Sequence, residues 1–485
     1  MCGVLHHLAN RAKFATICPD GALLSPVGTE GIPLQALRMQ RWALCALTCA
    51  LGVPSRRVVG SLPVRGQGME RIPLAIVGCG GMGGRHLLAL KELEESGLCD
   101  LELVAVCDRR RDSAEHLADE AQDLLGRRPL VFEDITEIVA TLPELQAVDI
   151  TTDVGSHHTV ACAAFDLGLH VLCEKPLALT VRGCNLIIEA QKRSGNVLSV
   201  AENYRRDPMA RLTKALLSVG VVGRPFVLFD ISAGAGNQIV ILPWRHDKNV
   251  GGILLDGGVH SADVMQYYVG NAHRVYAEAR LWEPIRYKPA SRSNLSAFYQ
   301  YWYDEMPDSI QASAEDTLVS VIGFENGVIG QWTSFYAAHG RGLGMGVVYG
   351  SEGSIRVGGI RNGVPPTLQL DGEGEVKGEA LLELVPDFFL DAATTRLFGG
   401  DRLCSYSMTF PEADRKLLAI EYHEFGQCIL TGRTPEVDGI VGRKAVALCY
   451  AAFESSVIDR PVTLDEIESE RVGIYEAEIN AHCRI

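Results

Sequence analysis

The sequence predicts an α/β protein whose first recognisable domain is a doubly wound parallel sheet. Three observations carry that reading. From Pro73 to Asn203, short apolar runs of strand length alternate with longer segments that repeat apolar residues at helical spacing. The first run, LAIVG, leads into a glycine-rich turn, GCGGMG, and the second, LELVAVCD, ends on the acidic Asp108.

The elements follow in order. LAIVG reads as a buried strand and RHLLALKELEESG as the helix after the turn; LELVAVCD is the second strand, followed by a polar helix from about Asp112 to Gly126. LVFED, a helix, AVDITT, a helix, HVLCEKP, a helix to about Ser194 and NVLSVAEN repeat the alternation. At 485 residues the chain exceeds what one hydrophobic core serves. We therefore divide it into residues 69–202, the doubly wound domain, and 203–485, a second α/β domain.

Residues 1–68 lack a periodic pattern and are read as a leader, disordered or lying outside the natural start, with MERIPLAIVG from Met69 opening the first domain. Their uncharged stretch, Trp42 to Val53, is too short to span a bilayer, though its length suits a signal segment if translation began at Met39. A formal charge of -15 without a basic stripe argues against nucleic acid and against an anionic membrane surface as partners. The 14 cysteines are scattered, form no CxxC pair, and in part (Cys107, Cys173, Cys449) sit inside apolar runs. They read as reduced core residues of a cytoplasmic protein.

The turn is G-x-G-x-x-G, with Gly78, Gly80 and Gly83 in the three positions and Gly81 and Met82 between them. The first glycine permits the tight turn, the second lets backbone N–H groups approach a pyrophosphate, and the third allows helix and strand to pack closely. The helix N-terminus adds partial positive charge. A carboxylate at Asp108 suits both ribose hydroxyls and repels a 2'-phosphate, so NAD is the expected cofactor. Arg109 beside it, which can stack on adenine or meet a phosphate, keeps NADP open. Thr152 and His157 in TTDVGSHH, and Glu174 and Lys175 in CEKP, lie at later strand ends, where the nicotinamide half of a dinucleotide binds.

The segment GGILLDGGVHSADVMQYYVG places Asp256, His260 and Asp263 at i, i+4 and i+7, one stripe of a helix that is either a solvated face or a site. An acid and a histidine one turn apart also suit a metal, but no third ligand accompanies them, and no metal is expected.

Together, GCGGMG, Asp108, the EKP of Glu174 to Pro176, the NYR of Asn203 to Arg205 and GGILLDGGVHSAD resemble the glucose-fructose oxidoreductase and inositol dehydrogenase (Gfo/Idh/MocA) family, from Ile72 to the C-terminus. The resemblance implies a Rossmann-type domain followed by an α/β domain with a large, mostly antiparallel sheet. The outer face of that sheet would join subunits into a homodimer or homotetramer. FVLFDIS, RVYAEARLW, DTLVSVIGF and GVIGQWTSF are compatible strands, FENG a hairpin turn, and helices from about Pro411 to Leu430 and Arg443 to Ser456 should return to the first domain. It also implies that Lys175, Asp256 and His260 form the catalytic group, with Asn203, Tyr204, Arg205, Trp244, Arg245 and His246 on the substrate side.

The implied activity is NAD(P)-dependent oxidation or reduction of a hydroxyl or ketone in a sugar, inositol or related polyol. The alternative is an NAD-dependent glycoside hydrolase or lyase that oxidises its sugar transiently. Histidine titrates nearest neutrality, so His260 is the better proton acceptor, while Lys175 suits the developing alkoxide. Asp256 would orient the site or bind a neighbouring hydroxyl, and Asp263 would support it. The seven aromatics between Trp282 and Tyr303 fit either sugar stacking or an arm across a subunit interface.

Overall fold

A strand buried on both faces needs apolar side chains on both, which is why the first strands read as unbroken apolar runs rather than alternating ones. In the computed structural model, which describes residues 71–292, 299–300 and 303–485, six such strands form a parallel sheet. The expected leader lies outside the described residues, as do Phe298, Tyr301 and Trp302 of the aromatic stretch. The sheet comprises β1 (Ile72–Val77), β2 (Leu101–Cys107), β3 (Leu130–Phe132), β4 (Ala147–Ile150), β5 (His170–Glu174) and β6 (Leu198–Ala201). Between them run α1 (Gly81–Ser96), α2 (Arg111–Leu125), α3 (Ile135–Thr141), α4 (His157–Asp166) and α5 (Val181–Ser194).

The strand order is β3-β2-β1-β4-β5-β6. The order reverses between β1 and β4, and such a switch point opens a crevice at the strands' carboxyl ends. The glycine turn, Thr151–Asp153, Glu174–Lys175 and Glu202–Asn203 all follow strands at that edge.

Helix α6 (Pro208–Ser218), whose first turn is capped by the Asp207 carboxylate accepting from Met209 N–H, leads into the second sheet. Its nine strands run β16-β15-β14-β13-β7-β12-β11-β8-β17. They are β7 (Pro225–Ala235), β8 (Ala272–Arg280), β11 (Thr317–Phe324), β12 (Ile329–Ala338), β13 (Leu343–Gly350), β14 (Gly353–Arg356), β15 (Thr367–Leu370), β16 (Gly374–Val376) and β17 (Val462–Thr463). Only the β7–β12 pairing is parallel; the others are antiparallel. The four expected strands are β7, β8, β11 and β12, and FENG turns β11 into β12 with Gly327 at φ +87°. A separate ribbon pairs β9 (Ile285–Tyr287) with β10 (Ser309–Gln311).

Helices α7 (Ile253–Asp256) and α8 (Gly258–Val269) lie on the inner face of the large sheet, where a side chain at Gly258 would press on Trp332 at 3.1 Å. After α9 (Glu379–Glu383) and α10 (Ala392–Phe398), the chain returns as α11 (Phe410–Thr431) and α12 (Gly439–Ile458), then ends with α13 (Leu464–Glu468) and α14 (Ile474–Cys483). Leu417, Tyr422 and Phe425 of α11 join the core beneath β1 and α1, and Tyr450 of α12 donates to the Leu179 carbonyl. Both helices thus touch elements of the parallel-sheet half. Among the described residues, ten cysteines are all free, and no helix is long and apolar enough to cross a membrane.

Candidate active site

The glycine turn is held by backbone geometry. Gly78 sits at φ +104°, and a Cβ there would lie 2.5 Å from Thr152 N; one at Gly83 would lie 2.4 Å from the Gly78 carbonyl. Above Gly80 nothing lies within 4 Å of a Cβ position, so that side of the turn is left open for a ligand's approach. Gly80 is also the N-cap of α1, whose first N–H groups face the same opening. Asp108 braces the turn: one carboxylate oxygen accepts from Cys79 N–H and the other from Arg110 N–H, each at 2.8 Å. Each oxygen keeps a lone pair for a further donor. Arg109 is exposed and pairs loosely with Asp153 at 3.6 Å. These residues fit a dinucleotide: an open backbone, a helix N-terminus and a strand-end carboxylate.

From this turn a cavity of about 830 Å³ runs to the large sheet. The nucleotide half contributes Gly81, Met82, Thr152, His157, Glu174 and Lys175 to its wall. His157 is buried, with Nδ1 at 2.9 Å from the Pro176 carbonyl and Nε2 at 3.2 Å from that of Thr152, so it ties two strand-end loops together. Glu174 accepts from Lys175 N–H and meets His86 Nε2 at 3.0 Å, while His86 Nδ1 meets Asp149 at 2.9 Å. Burial works against the charge on His86, but Asp149 and Glu174 prevail and raise it to about 10. His86 and Asp149, which sequence reasoning missed, form a charged prop beneath the lysine loop.

The second half supplies Asn203, Tyr204, Trp244, Arg245, Asp256 and His260. The Lys175–Pro176 peptide is cis, and Lys175 Nζ donates to both the Asp256 carbonyl and Oδ1 at 3.0 Å. Arg245 pairs with Asp256 Oδ2 at 2.5 Å. Burial raises the Asp256 pKa, but the two cations outweigh it and hold the carboxyl at about 2. His260 stacks on Tyr204 with ring centroids 3.8 Å apart and an interplanar angle of 6°, and its Nδ1 lies 2.8 Å from both oxygens of Glu202. Burial, then the charge of Lys175, keeps the imidazole well below its ordinary range and hence neutral. The buried Asn203 Oδ1 has no hydrogen-bond partner among the described residues and is free to accept from a ligand.

The polar stripe therefore has a different form from a solvated face. Asp256 and Asp263 are 4% and 2% exposed, Gly257 interrupts the helix between α7 and α8, and each member of the stripe has its own partner. Asp263 takes a two-pronged pair from Arg205, at 2.8 and 2.5 Å. Neither Asp263 nor Arg205 is in the cavity wall, which corrects the placement of Arg205 on the substrate side. An arginine at a strand end binds whichever carboxylate is nearest, and here that carboxylate is Asp263 in the adjoining helix. His246 is likewise structural, since Nε2 accepts from Val240 N–H and burial lowers it to about 4.

Residues distant in sequence complete the wall: Arg85, Tyr299, Tyr336, Arg361 and Phe410. Arg361 donates to the Tyr204 hydroxyl at 2.8 Å and shares Asp414 with Arg85. Of the aromatic stretch, Tyr299 enters the cavity wall, whereas Trp282 is 64% exposed. Among the described residues no group of three or more histidine, cysteine or acidic side chains is placed to hold a metal.

Comparison with known proteins agrees with this architecture. Residues 72–202 match the oxidoreductase family with an NAD-binding Rossmann fold, GFO_IDH_MocA, and residues 210–356 match the GFO/IDH/MocA C-terminal domain. Levoglucosan dehydrogenase of Pseudarthrobacter phenanthrenivorans is 30% identical over 298 residues, 59% of this chain and 73% of its own. Myo-inositol 2-dehydrogenase of Thermotoga maritima is 26% identical over 396 residues, 81% of this chain and 99% of its own. A crystal structure of levoglucosan dehydrogenase in complex with NADH shares the fold, with a TM-score of 0.63 at 23% identity over 81% of this chain and 99% of that one. With the two family models covering more than half of the sequence, the chain belongs to the GFO/IDH/MocA oxidoreductases and is an NAD-dependent dehydrogenase.

Proposed function

We propose that this enzyme oxidises a secondary hydroxyl of a sugar, inositol or related polyol, with residues 69–202 binding NAD and 203–485 binding the substrate. The observation that carries the reading is the meeting of Lys175, Asp256 and His260 in one cavity that also opens onto the glycine turn. Relatives named for levoglucosan, myo-inositol and scyllo-inositol support the substrate class.

Oxidation removes a hydroxyl proton and a hydride from one carbon, and NAD+, when bound, supplies the hydride acceptor. Gly80 and the N-terminus of α1 would hold its pyrophosphate and Asp108 its adenosine ribose, and Thr152, His157 and Glu174 would shape the nicotinamide end. Lys175 already donates to two oxygens of Asp256 and keeps one N–H for the substrate oxygen, where charge develops as the proton leaves. Asp256 fixes that ammonium, and His260 accepts the proton. Asn203 Oδ1 and the Arg245 guanidinium orient neighbouring hydroxyls, and Tyr204 and Trp244 offer ring faces.

The test is NADH formation by the purified full chain with NAD+ against a panel of sugars, anhydrosugars and inositols. We expect turnover of at least one, and NAD+ preferred over NADP+. A protein that binds NAD yet reduces none of it with any member would overturn the substrate reading.

The free cysteines support a reducing, cytoplasmic setting. Assembly through the outer face of the large sheet is supported by its exposed Tyr276, Val319, Val321, Ile329 and Tyr349, which the strand register places on one side. Val321→Asp should convert the homo-oligomer to monomer in light scattering coupled to size exclusion; a mass unchanged from wild type would place the interface elsewhere.

A further inference from the structure

His260 has two ring nitrogens, and what the inner one touches decides what the outer one can do. Glu202, the residue that ends the sixth strand's apolar run, presents both carboxylate oxygens to His260 Nδ1 at 2.8 Å and accepts Tyr204 N–H at 3.0 Å. It is 3% exposed and absent from the cavity wall, so it reaches the substrate only through the imidazole. The stacked Tyr204 ring, itself held at its hydroxyl by Arg361, fixes the plane in which the imidazole lies.

We propose that Glu202 is the positioning residue of His260, setting its tautomer and taking over its inner proton during turnover. The proposal rests on His260 being the proton acceptor of the reaction above. With the Nδ1 proton donated to Glu202, Nε2 carries a lone pair available to the substrate hydroxyl. On oxidation the substrate O–H bond breaks and an Nε2–H bond forms. The Nδ1–H bond then breaks as its proton passes to Glu202. The C–H bond breaks with its electron pair transferred as hydride to NAD+, leaving a carbonyl. Reduction runs the same transfers backward.

The surroundings suit such a relay. Burial drives Glu202 up to about 7, opposed by Tyr204 N–H and by the charges of Lys175 and Arg205. Glu174 raises it further, and the facing carboxyls of Asp263 and Glu421 add to the same repulsion. On His260, Lys175 and Arg361 press the imidazole toward neutrality against the opposing charges of Asp256 and Glu174. At neutral pH the imidazole is therefore neutral, and the buried carboxylate beside it is basic enough to take the inner proton when the outer nitrogen receives the substrate's.

The experiment uses the full-length enzyme and two variants. Glu202→Gln keeps an acceptor oxygen but neither a charge nor a place for the proton. Its kcat for oxidation should fall by about 10²-fold or more while KM changes little. The wild-type rate should decline as the pH falls below about 7, when the pair takes up a second proton. In Glu202→Gln this acid limb should move down by at least about one pH unit, because only the imidazole, now without its anionic partner, remains to titrate. Glu202→Asp should restore the limb. In parallel, ¹⁵N NMR of histidine-labelled protein, with His260 assigned by loss of its signal in His260→Asn, should show Nδ1 protonated and Nε2 bare in wild type at pH 8. A bare Nδ1, or a Glu202→Gln enzyme with the wild-type acid limb, overturns the proposal. The NMR result stands whether or not a polyol is turned over, so failure of the substrate reading is separable from failure of this one.

Discussion

Lys175→Met is expected to lower kcat by about 10²–10³-fold, the loss seen when one preorganised donor to a developing oxyanion is removed, while leaving NAD affinity close to wild type. Methionine keeps the unbranched lysine stem and lacks only the terminal ammonium position, so the variant removes a charge and its N–H groups with little change in packing. Asp256 does not become an orphan. Arg245 remains 2.5 Å from its Oδ2, which keeps the carboxylate paired and the fold intact. Lys175→Arg should not restore the rate, because a planar guanidinium cannot place donors on both the Asp256 carbonyl and Oδ1 and still point one at the substrate. Steady-state kinetics together with fluorescence titration of nucleotide check both halves. A Lys175→Met enzyme within about tenfold of wild-type kcat would show that the lysine does not meet the reacting oxygen.

The parts of this site legible in the sequence are those fixed by local rules. A strand that ends in glycine turn, acid or Lys-Pro declares both its direction and the edge at which its last residues stand, so Gly80, Asp108, Lys175 and Asn203 could be placed before the fold was known. The helical period put Asp256 and His260 one turn apart, which the structure retains across the break at Gly257. What the period could not supply was the partner of each polar group. Asp263 lies on the same stripe as His260, yet it is engaged by Arg205 from the turn before α6.

Glu202 stood in plain view as the acid of VAEN, but nothing local distinguishes a carboxylate that ends a strand from one that reaches a histidine 58 residues on. Arg361, Tyr336 and Phe410 arrive from elements whose relation to the nucleotide turn is set wholly by tertiary packing. The parallel β7–β12 pairing was hidden for the same reason, because a half-buried strand has the same alternation whichever way its neighbour runs.

Gly80→Val should abolish useful NAD binding, raising Kd by about 100-fold or more, in a protein that remains fully folded. The turn contains glycines present for different physical reasons, and substitution separates them. At Gly78 the left-handed φ of +104° and the backbone atoms of Thr151 and Thr152, 2.5 to 2.8 Å from a Cβ, exclude any side chain, so Gly78→Ala strains the turn itself. Gly83 is excluded by the Gly78 carbonyl at 2.4 Å.

Gly80 has neither constraint. Its φ of -85° and ψ of -157° are extended rather than left-handed, and no protein atom lies within 4 Å of the added carbon. A valine there would project into the space through which a pyrophosphate must approach the first N–H groups of α1. The thermal midpoint of the apo protein should therefore match wild type for Gly80→Val and fall for Gly78→Ala, whereas NAD should raise the midpoint of wild type alone. If Gly80→Val is stabilised by NAD as strongly as wild type, the open side of the turn is not where the phosphates lie, and the roles assigned to Gly80 and the α1 N-terminus are wrong.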